Sequence, residues 1–107
     1  MTLQQIRYFI SVAESGSISE AAKRLFTAQS SISSAIKEIE NTYDITAFIR
    51  ESTGVRLTRS GEELLIEFKG ILSRLDYLDE KFNGSPPLLI LIKIFKALSK
   101  SCSFSRK

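Results

Sequence analysis

SISEAAKRLFTAQSSISSAIKEIE, residues 17–40, decides how this chain of 107 residues folds. Ser17 followed by Glu20 is the S-x-x-E signature of a capping box, in which the two side chains satisfy free N–H groups at a helix start. The helix it opens would turn Ile18, Ala21, Ala22 and Leu25 inward, and its alanines let another helix approach closely. Phe26-Thr27-Ala28 then makes a short turn without proline. A second helix is expected from near Ala28 to about Asn41. Its Ile32, Ala35, Ile36 and Ile39 recur at i, i+3, i+4 and i+7, so they share one face. Gln29, Ser30, Ser33, Ser34 and Lys37 lie on the opposite face. One side suits a core, and the other presents small polar groups and a cation.

Upstream, Thr2 and Gln5 form a first capping box, and Leu3, Ile6, Phe9, Ile10 and Ala13 predict a helix from Leu3 to about Glu14. Gly16 stands where a helix end wants a left-handed residue. Tyr8, Phe9 and Ile10 are expected in the core. Downstream, Asn41 to Asp44 reads as a short polar segment. The runs Ile45–Arg50 and Val55–Leu57 flank Glu51-Ser52-Thr53-Gly54 and predict a two-stranded hairpin. Thr58 can cap a last helix running to about Phe82, with Glu62 and Glu63 near its positive end. Leu64, Phe68, Ile71, Leu75, Leu78 and Phe82 are spaced alternately four and three apart, a heptad seam that Leu65 and Leu72 broaden. Such a stripe calls for a partner: the first helix, a second copy of the chain, or both.

Asn83-Gly84-Ser85-Pro86-Pro87 ends that helix and reads as a linker. The segment beyond it holds five basic residues and no acid, so the net charge of +3 belongs to the tail. Residues 1–61 carry only +1 and residues 62–83 carry −3. The basic balance is therefore no evidence by itself for nucleic-acid binding. The apolar run Leu88–Phe95, interrupted by Lys93, is too short for a membrane span. As a helix it would be a basic amphipathic surface segment. One cysteine, Cys102, offers no internal disulfide, and no secretory signal is visible at the N-terminus, so a cytoplasmic location is expected.

Catalysis finds little support in these residues. There is no histidine, no Cys/His metal cluster and no Gly-rich phosphate loop, so neither enzyme activity nor a cofactor or metal is expected. A DNA reader is better supported. The major groove admits one helix, and its base edges are read by groups such as Gln, Ser, Arg and Lys. Gln29, Ser33 and Lys37 follow at i+4 steps and point the same way. Gln29, at the helix start, suits paired hydrogen bonds to an adenine edge. Ser30, Ser31 and Ser34 are short enough for phosphate or base-edge contacts, and Lys37 would meet a phosphate. A serine-rich face is also common on helices that merely face solvent. The helix ahead and the hairpin behind tip the balance towards a winged helix-turn-helix. Arg50, Ser52, Thr53 and Arg56 would then belong to the wing.

Residues 1–65 resemble the N-terminal domain of LysR-type transcriptional regulators, and the resemblance runs on to about residue 82. It is carried by Leu3 to Phe9 (L-x-x-[apolar]-x-x-F), V-A-E-x-G-S at Val12 to Ser17, and A-A-x-x-L at Ala21 to Leu25. Q-S-S-I-S at Gln29 to Ser33, F-x-R at Phe48 to Arg50 and G-V-x-L-T-x-x-G at Gly54 to Gly61 complete it. It implies a mainly α fold: a winged helix-turn-helix of three helices and a two-stranded wing, followed by a long dimerisation linker helix. It also implies a homodimer on an inverted repeat in double-stranded DNA. The contacts it implies come from Gln29, Ser30, Ser31, Ser33, Ser34, Lys37 and Arg50, and dimerisation from the seam Leu64 to Phe82.

Three positions depart from the family pattern. Ser34 stands at an often basic position, Asp44 replaces a usual Gly, and Ala47 replaces a usual Leu, which would leave the wing base underpacked. The expected organisation is a DNA-binding domain at 1–58, a linker helix at 59–83, and a basic tail at 84–107 without family likeness, whether natural, artificial or from a shifted frame. The two α/β lobes that sense an effector in the family have no counterpart, so no small-molecule or membrane partner is expected. Higher oligomers, or pairing with full-length relatives, are the alternatives to a homodimer. The rival function is an interaction protein that uses the linker helix to poison the oligomers of such relatives.

Overall fold

The computed structural model describes residues 1–82; the linker and basic tail expected beyond Phe82 lie outside the described residues. The described elements are α1 (Leu3–Ser15), α2 (Ile18–Arg24), α3 (Gln29–Tyr43), β1 (Phe48–Glu51), β2 (Gly54–Leu57) and α4 (Arg59–Phe82). Two units divide the chain, one from Met1 to Ile71 and one from Leu72 onward.

In the first unit, α1 begins as the sequence predicts. Thr2 Oγ1 accepts from Gln5 N–H, and the Gln5 side chain accepts from Thr2 N–H at 2.9 Å. Gly16 ends the helix at φ 72°, and its N–H donates to the Val12 carbonyl. Only half of the second capping box forms. Ser17 Oγ accepts from Glu20 N–H, but the Glu20 carboxylate pairs instead with Arg24 one turn on, at 3.5 Å. Ser15 Oγ takes the Ser17 N–H in its place.

The core lies where α1, α2 and α3 meet. Val12, Ala21, Ala22, Ile32 and Ile36 form one buried cluster, with Tyr8, Ile18, Leu25, Phe48 and Val55 packed against it. All four residues of the predicted inner face of α3 are buried, because a 3.6-residue period keeps them in one stripe. Of the three aromatic and apolar residues expected in the core of α1, Phe9 is fully buried, while Tyr8 and Ile10 are half-buried.

α3 is longer than the sequence suggests. Asn41 to Tyr43 belong to the helix, and Asp44 closes it in a left-handed conformation at φ 53°. The short polar segment is therefore a final helical turn. Thr42 Oγ1 bonds back to the Glu38 carbonyl, so its polarity is satisfied inside the helix. The hairpin is also narrower than expected. β1 starts at Phe48 rather than Ile45, and the antiparallel register pairs Phe48 with Leu57 and Glu51 with Gly54, leaving Ser52 and Thr53 as the turn.

Thr58 caps α4 by accepting from Gly61 N–H at 3.0 Å, while its own hydroxyl donates to the Thr46 and Ala47 carbonyls. Phe68 is buried and meets the Phe9 ring edge-on at 5.1 Å, and Lys69 pairs with Glu14 at 3.0 Å. The partner of the seam at Phe68 is thus α1 of the same chain. The rest of the seam within this unit is less covered: Leu64 is half-buried and Ile71 exposed.

In the second unit the described residues are the last turns of α4. Leu75 is half-buried, whereas Leu78 and Phe82 are exposed, Phe82 to 72%. Arg74 and Lys81 lie over the Tyr77 ring at 5.3 and 5.7 Å. No helix among the described residues is long and apolar enough to cross a membrane.

Candidate nucleic-acid interface

The polar stripe of α3 lies open. Gln29, Ser30, Ser31, Ser34 and Lys37 are exposed and Ser33 is half-buried. The start of α3 has no side-chain cap, since Ala28 occupies the cap position and offers no hydrogen bond. Ser31 N–H donates to the Ala28 carbonyl at 3.1 Å, which leaves the N–H groups of Gln29 and Ser30 without a side-chain cap.

Two shallow concavities continue this stripe. One opens between α3 and the wing, about 310 Å³, lined by Ser33, Ser34, Lys37 and Glu40 of α3 together with Phe48 and Arg50 of β1. It brings Lys37 and Arg50 to the same cleft. Neither cation is paired with an acid among the described residues, so both keep their charge for an outside anion. The other concavity lies at the helix start, lined by Lys23, Phe26, Thr27, Ala28 and Gln29. Gln29 thus belongs to the turn end of the stripe, and Ser33 and Lys37 to the wing end.

The two wing arginines separate. Side chains alternate along a strand, so Phe48 and Arg50 share one face with Val55 and Leu57, while Ile49, Glu51 and Arg56 share the other. Arg50 lies on the face of Phe48, whose ring meets Phe9 at 4.9 Å. Arg56 is held by Glu51 on the opposite face at 3.0 Å. Ser52 and Thr53 are exposed at the tip. Of the four expected wing residues, the cleft therefore gathers Arg50 alone.

The wing is tied to the helices by contacts that the sequence does not reveal. Glu40 Oε2 accepts from the N–H groups of Ala47 at 2.7 Å and Phe48 at 3.3 Å, tying α3 to the base of β1. Gly16 O accepts from Val55 N–H at 3.0 Å, tying the α1–α2 turn to β2. Gly54, at φ 143°, lies so close to the Gly16 carbonyl that a side chain there would collide with it. The wing is clamped on both strands. At the wing base, Ala47 is fully buried and Gly61 packs directly on its carbonyl.

α1 also touches the turn. The Tyr8 phenol receives a hydrogen bond from Gln4 Nε2 at 3.0 Å and hydrogen-bonds to Thr27, and these bonds hold its pKa below the ordinary 10.0.

The model for the family described as "Bacterial regulatory helix-turn-helix protein, lysR family" matches residues 3–62. This chain belongs to the lysR family. The match takes in α1 to α3, the wing and the first turn of α4. Among relatives, the HTH-type transcriptional regulator GalR of Pseudomonas putida is 38% identical over 103 residues, covering 94% of this chain and 26% of GalR. The transcriptional dual regulator GltC of Bacillus subtilis is 42% identical over 83 residues, 78% of this chain and 28% of GltC. The chain spans about a quarter to a third of the length of the curated relatives it matches.

Solved structures agree on the fold. The DNA-binding domain of CbnR in complex with DNA superposes with a TM-score of 0.75 at 30% identity, covering 78% of this chain and 97% of that one. The DNA-binding domain of BenM on benA site 1 DNA gives 0.73 at 30% identity, covering 78% and 96%. This LysR-family chain is a winged helix-turn-helix, and its relatives are regulators of transcription rather than enzymes.

Proposed function

We propose that this chain binds double-stranded DNA in a sequence-specific manner as a homodimer, with the N-terminal end of α3 in the major groove and the wing on the flanking backbone, as a cytoplasmic regulator of transcription. The observation that carries this is the uncapped, polar end of α3 continuous with a cleft holding two unpaired cations, Lys37 and Arg50. CbnR and BenM domains of the same fold are in complex with DNA, which supports the same partner here. Gln29, Ser30, Ser31, Ser33 and Ser34 would read or touch the groove, and Lys37 and Arg50 would hold one phosphate between helix and wing. Ser52 and Thr53 would meet backbone at the wing tip. Arg56 would contribute less, since Glu51 neutralises it.

One such head carries little charge, and phosphate contacts dominate affinity. Doubling is therefore needed. The exposed Ile71, Leu78 and Phe82 of α4 support pairing through this helix, and a two-fold dimer would select an inverted repeat with half-sites about one helical turn apart. The test is a mobility-shift titration of the full chain on duplexes carrying inverted repeats. Binding should be cooperative in dimer, weaken steeply as salt rises, and survive competition by unrelated duplex. Equal binding to every duplex would contradict it. The rival, an interaction protein acting only through α4, is separated by removing residues 72–107, a cut that leaves Phe68 in place against Phe9. A base-reading head keeps its sequence preference at reduced affinity, whereas the rival has none to keep.

A further inference from the structure

Phe26 is 95% exposed in the turn between α2 and α3, and its backbone is left-handed at φ 53°. Both facts are unfavourable. A phenyl ring in water forgoes burial, and a non-glycine residue in this region is sterically strained. The turn is also rigid. Phe26 N–H donates to the Lys23 carbonyl at 3.3 Å, and Thr27 N–H donates to the Ala22 carbonyl at 3.0 Å. The ring is thus fixed outward on a firm base, where it does nothing for the core. Strain of this kind, kept where the surroundings hold it, points to a use.

Resting on the DNA-binding role above, we propose that Phe26 is the apolar contact of that interface. Its ring packs on the C5-methyl group of a thymine next to the base met by Gln29. Phe26 and Gln29 line the same concavity, so a groove edge reached by one lies against the other. A phenyl ring has no charge and no hydrogen bond to offer a phosphate. The apolar group on the major-groove edge of a base pair is the thymine methyl, and contact with it is a recognised mode of readout. The residues at the start of a recognition helix are those that approach base edges, and Phe26 stands three residues ahead of Gln29. The site preference would therefore include a thymine that no hydrogen-bonding residue accounts for.

The test uses the full chain and the duplex it enriches from a random pool, with thymines replaced one at a time by deoxyuridine. Wild type should lose about fourfold in affinity per half-site at one thymine, the effect of one methyl group leaving an apolar contact. Phe26→Ala and Phe26→Asn should each bind the parent duplex about four- to tenfold more weakly per half-site and be indifferent to deoxyuridine at that position. Phe26→Asn should melt no lower than wild type, because asparagine tolerates the left-handed backbone, so its loss of binding is not a loss of fold. If both variants bind as wild type does, or if no thymine methyl is felt by wild type and ignored by the variants, the contact does not exist. A ring kept for a protein partner would give the first of these results. If the chain enriches no duplex at all, the DNA-binding role itself falls, and this contact with it.

Discussion

Replacing Glu40 should cost more stability than replacing any other exposed or half-exposed acid in the domain. Its carboxylate is the one contact between the side chains of α3 and the backbone at the base of β1 among the described hydrogen bonds, with Ala47 N–H at 2.7 Å and Phe48 N–H at 3.3 Å. Hydrogen bonds to a charged group contribute about 1.5–3 kcal/mol each, and a buried donor left without a partner costs about 1–3 kcal/mol. The longer bond to Phe48 counts for less, so Glu40→Ala should destabilise by roughly 2–4 kcal/mol. A domain of this size has roughly 4–12 kcal/mol in all, so the variant would lose a large part of it. Its melting temperature should fall by about 10–25 °C. Glu40→Gln keeps a carbonyl acceptor and should lose only about 1 kcal/mol. Urea denaturation followed by helical circular dichroism measures both. Hydrogen exchange at the amides of Ala47 and Phe48 would locate the loss at the wing base. An alanine variant within about 0.5 kcal/mol of wild type, or a glutamine variant as damaged as alanine, would refute the clamp.

Other positions give sharper local tests. Asp44→Gly should stabilise by about 0.5–1.5 kcal/mol in the same urea assay, since Asp44 puts a side chain at φ 53° and a negative charge at the negative end of α3; Asp44→Asn should recover only the charge part. Gly61→Ala should cost at least about 2 kcal/mol by thermal melting, because a new Cβ would strike the Ala47 carbonyl and lie 2.8 Å from the Leu57 side chain. Lys37→Ala and Arg50→Ala should each lower the slope of log affinity against log salt by about 1 per half-site while leaving sequence preference intact.

The fold is legible in the sequence where apolar spacing and end signals agree. Thr2, Gln5, Gly16 and Thr58 mark helix ends by side-chain or backbone chemistry within four residues, and Ile32 to Ile39 mark the inner face of α3 by period alone. What stays hidden depends on distance or on backbone sign. Glu40 is an ordinary polar residue until the chain folds, because its partners lie seven and eight residues away. Asn41 to Tyr43 read as a segment rather than a helical turn, because only the left-handed Asp44 tells where α3 stops. Ser17 and Glu20 have the spacing of a reciprocal cap, but Arg24, one turn further, competes for the carboxylate. Arg50 and Arg56 look equivalent in sequence. Strand register sends one to the cleft and the other to Glu51. Phe26 reads only as a turn residue in the sequence, and its exposure is a fact of the backbone that carries it.

The central claim, that the N-terminal end of α3 reads bases, is tested most directly by selecting bound duplexes from a random pool with wild type and with Gln29→Ala. Wild type should enrich a two-fold symmetric motif with half-site centres about one helical turn apart. Gln29→Ala should lose preference at one position in each half-site and keep the rest. An unchanged motif, or none from wild type, would contradict base reading by α3.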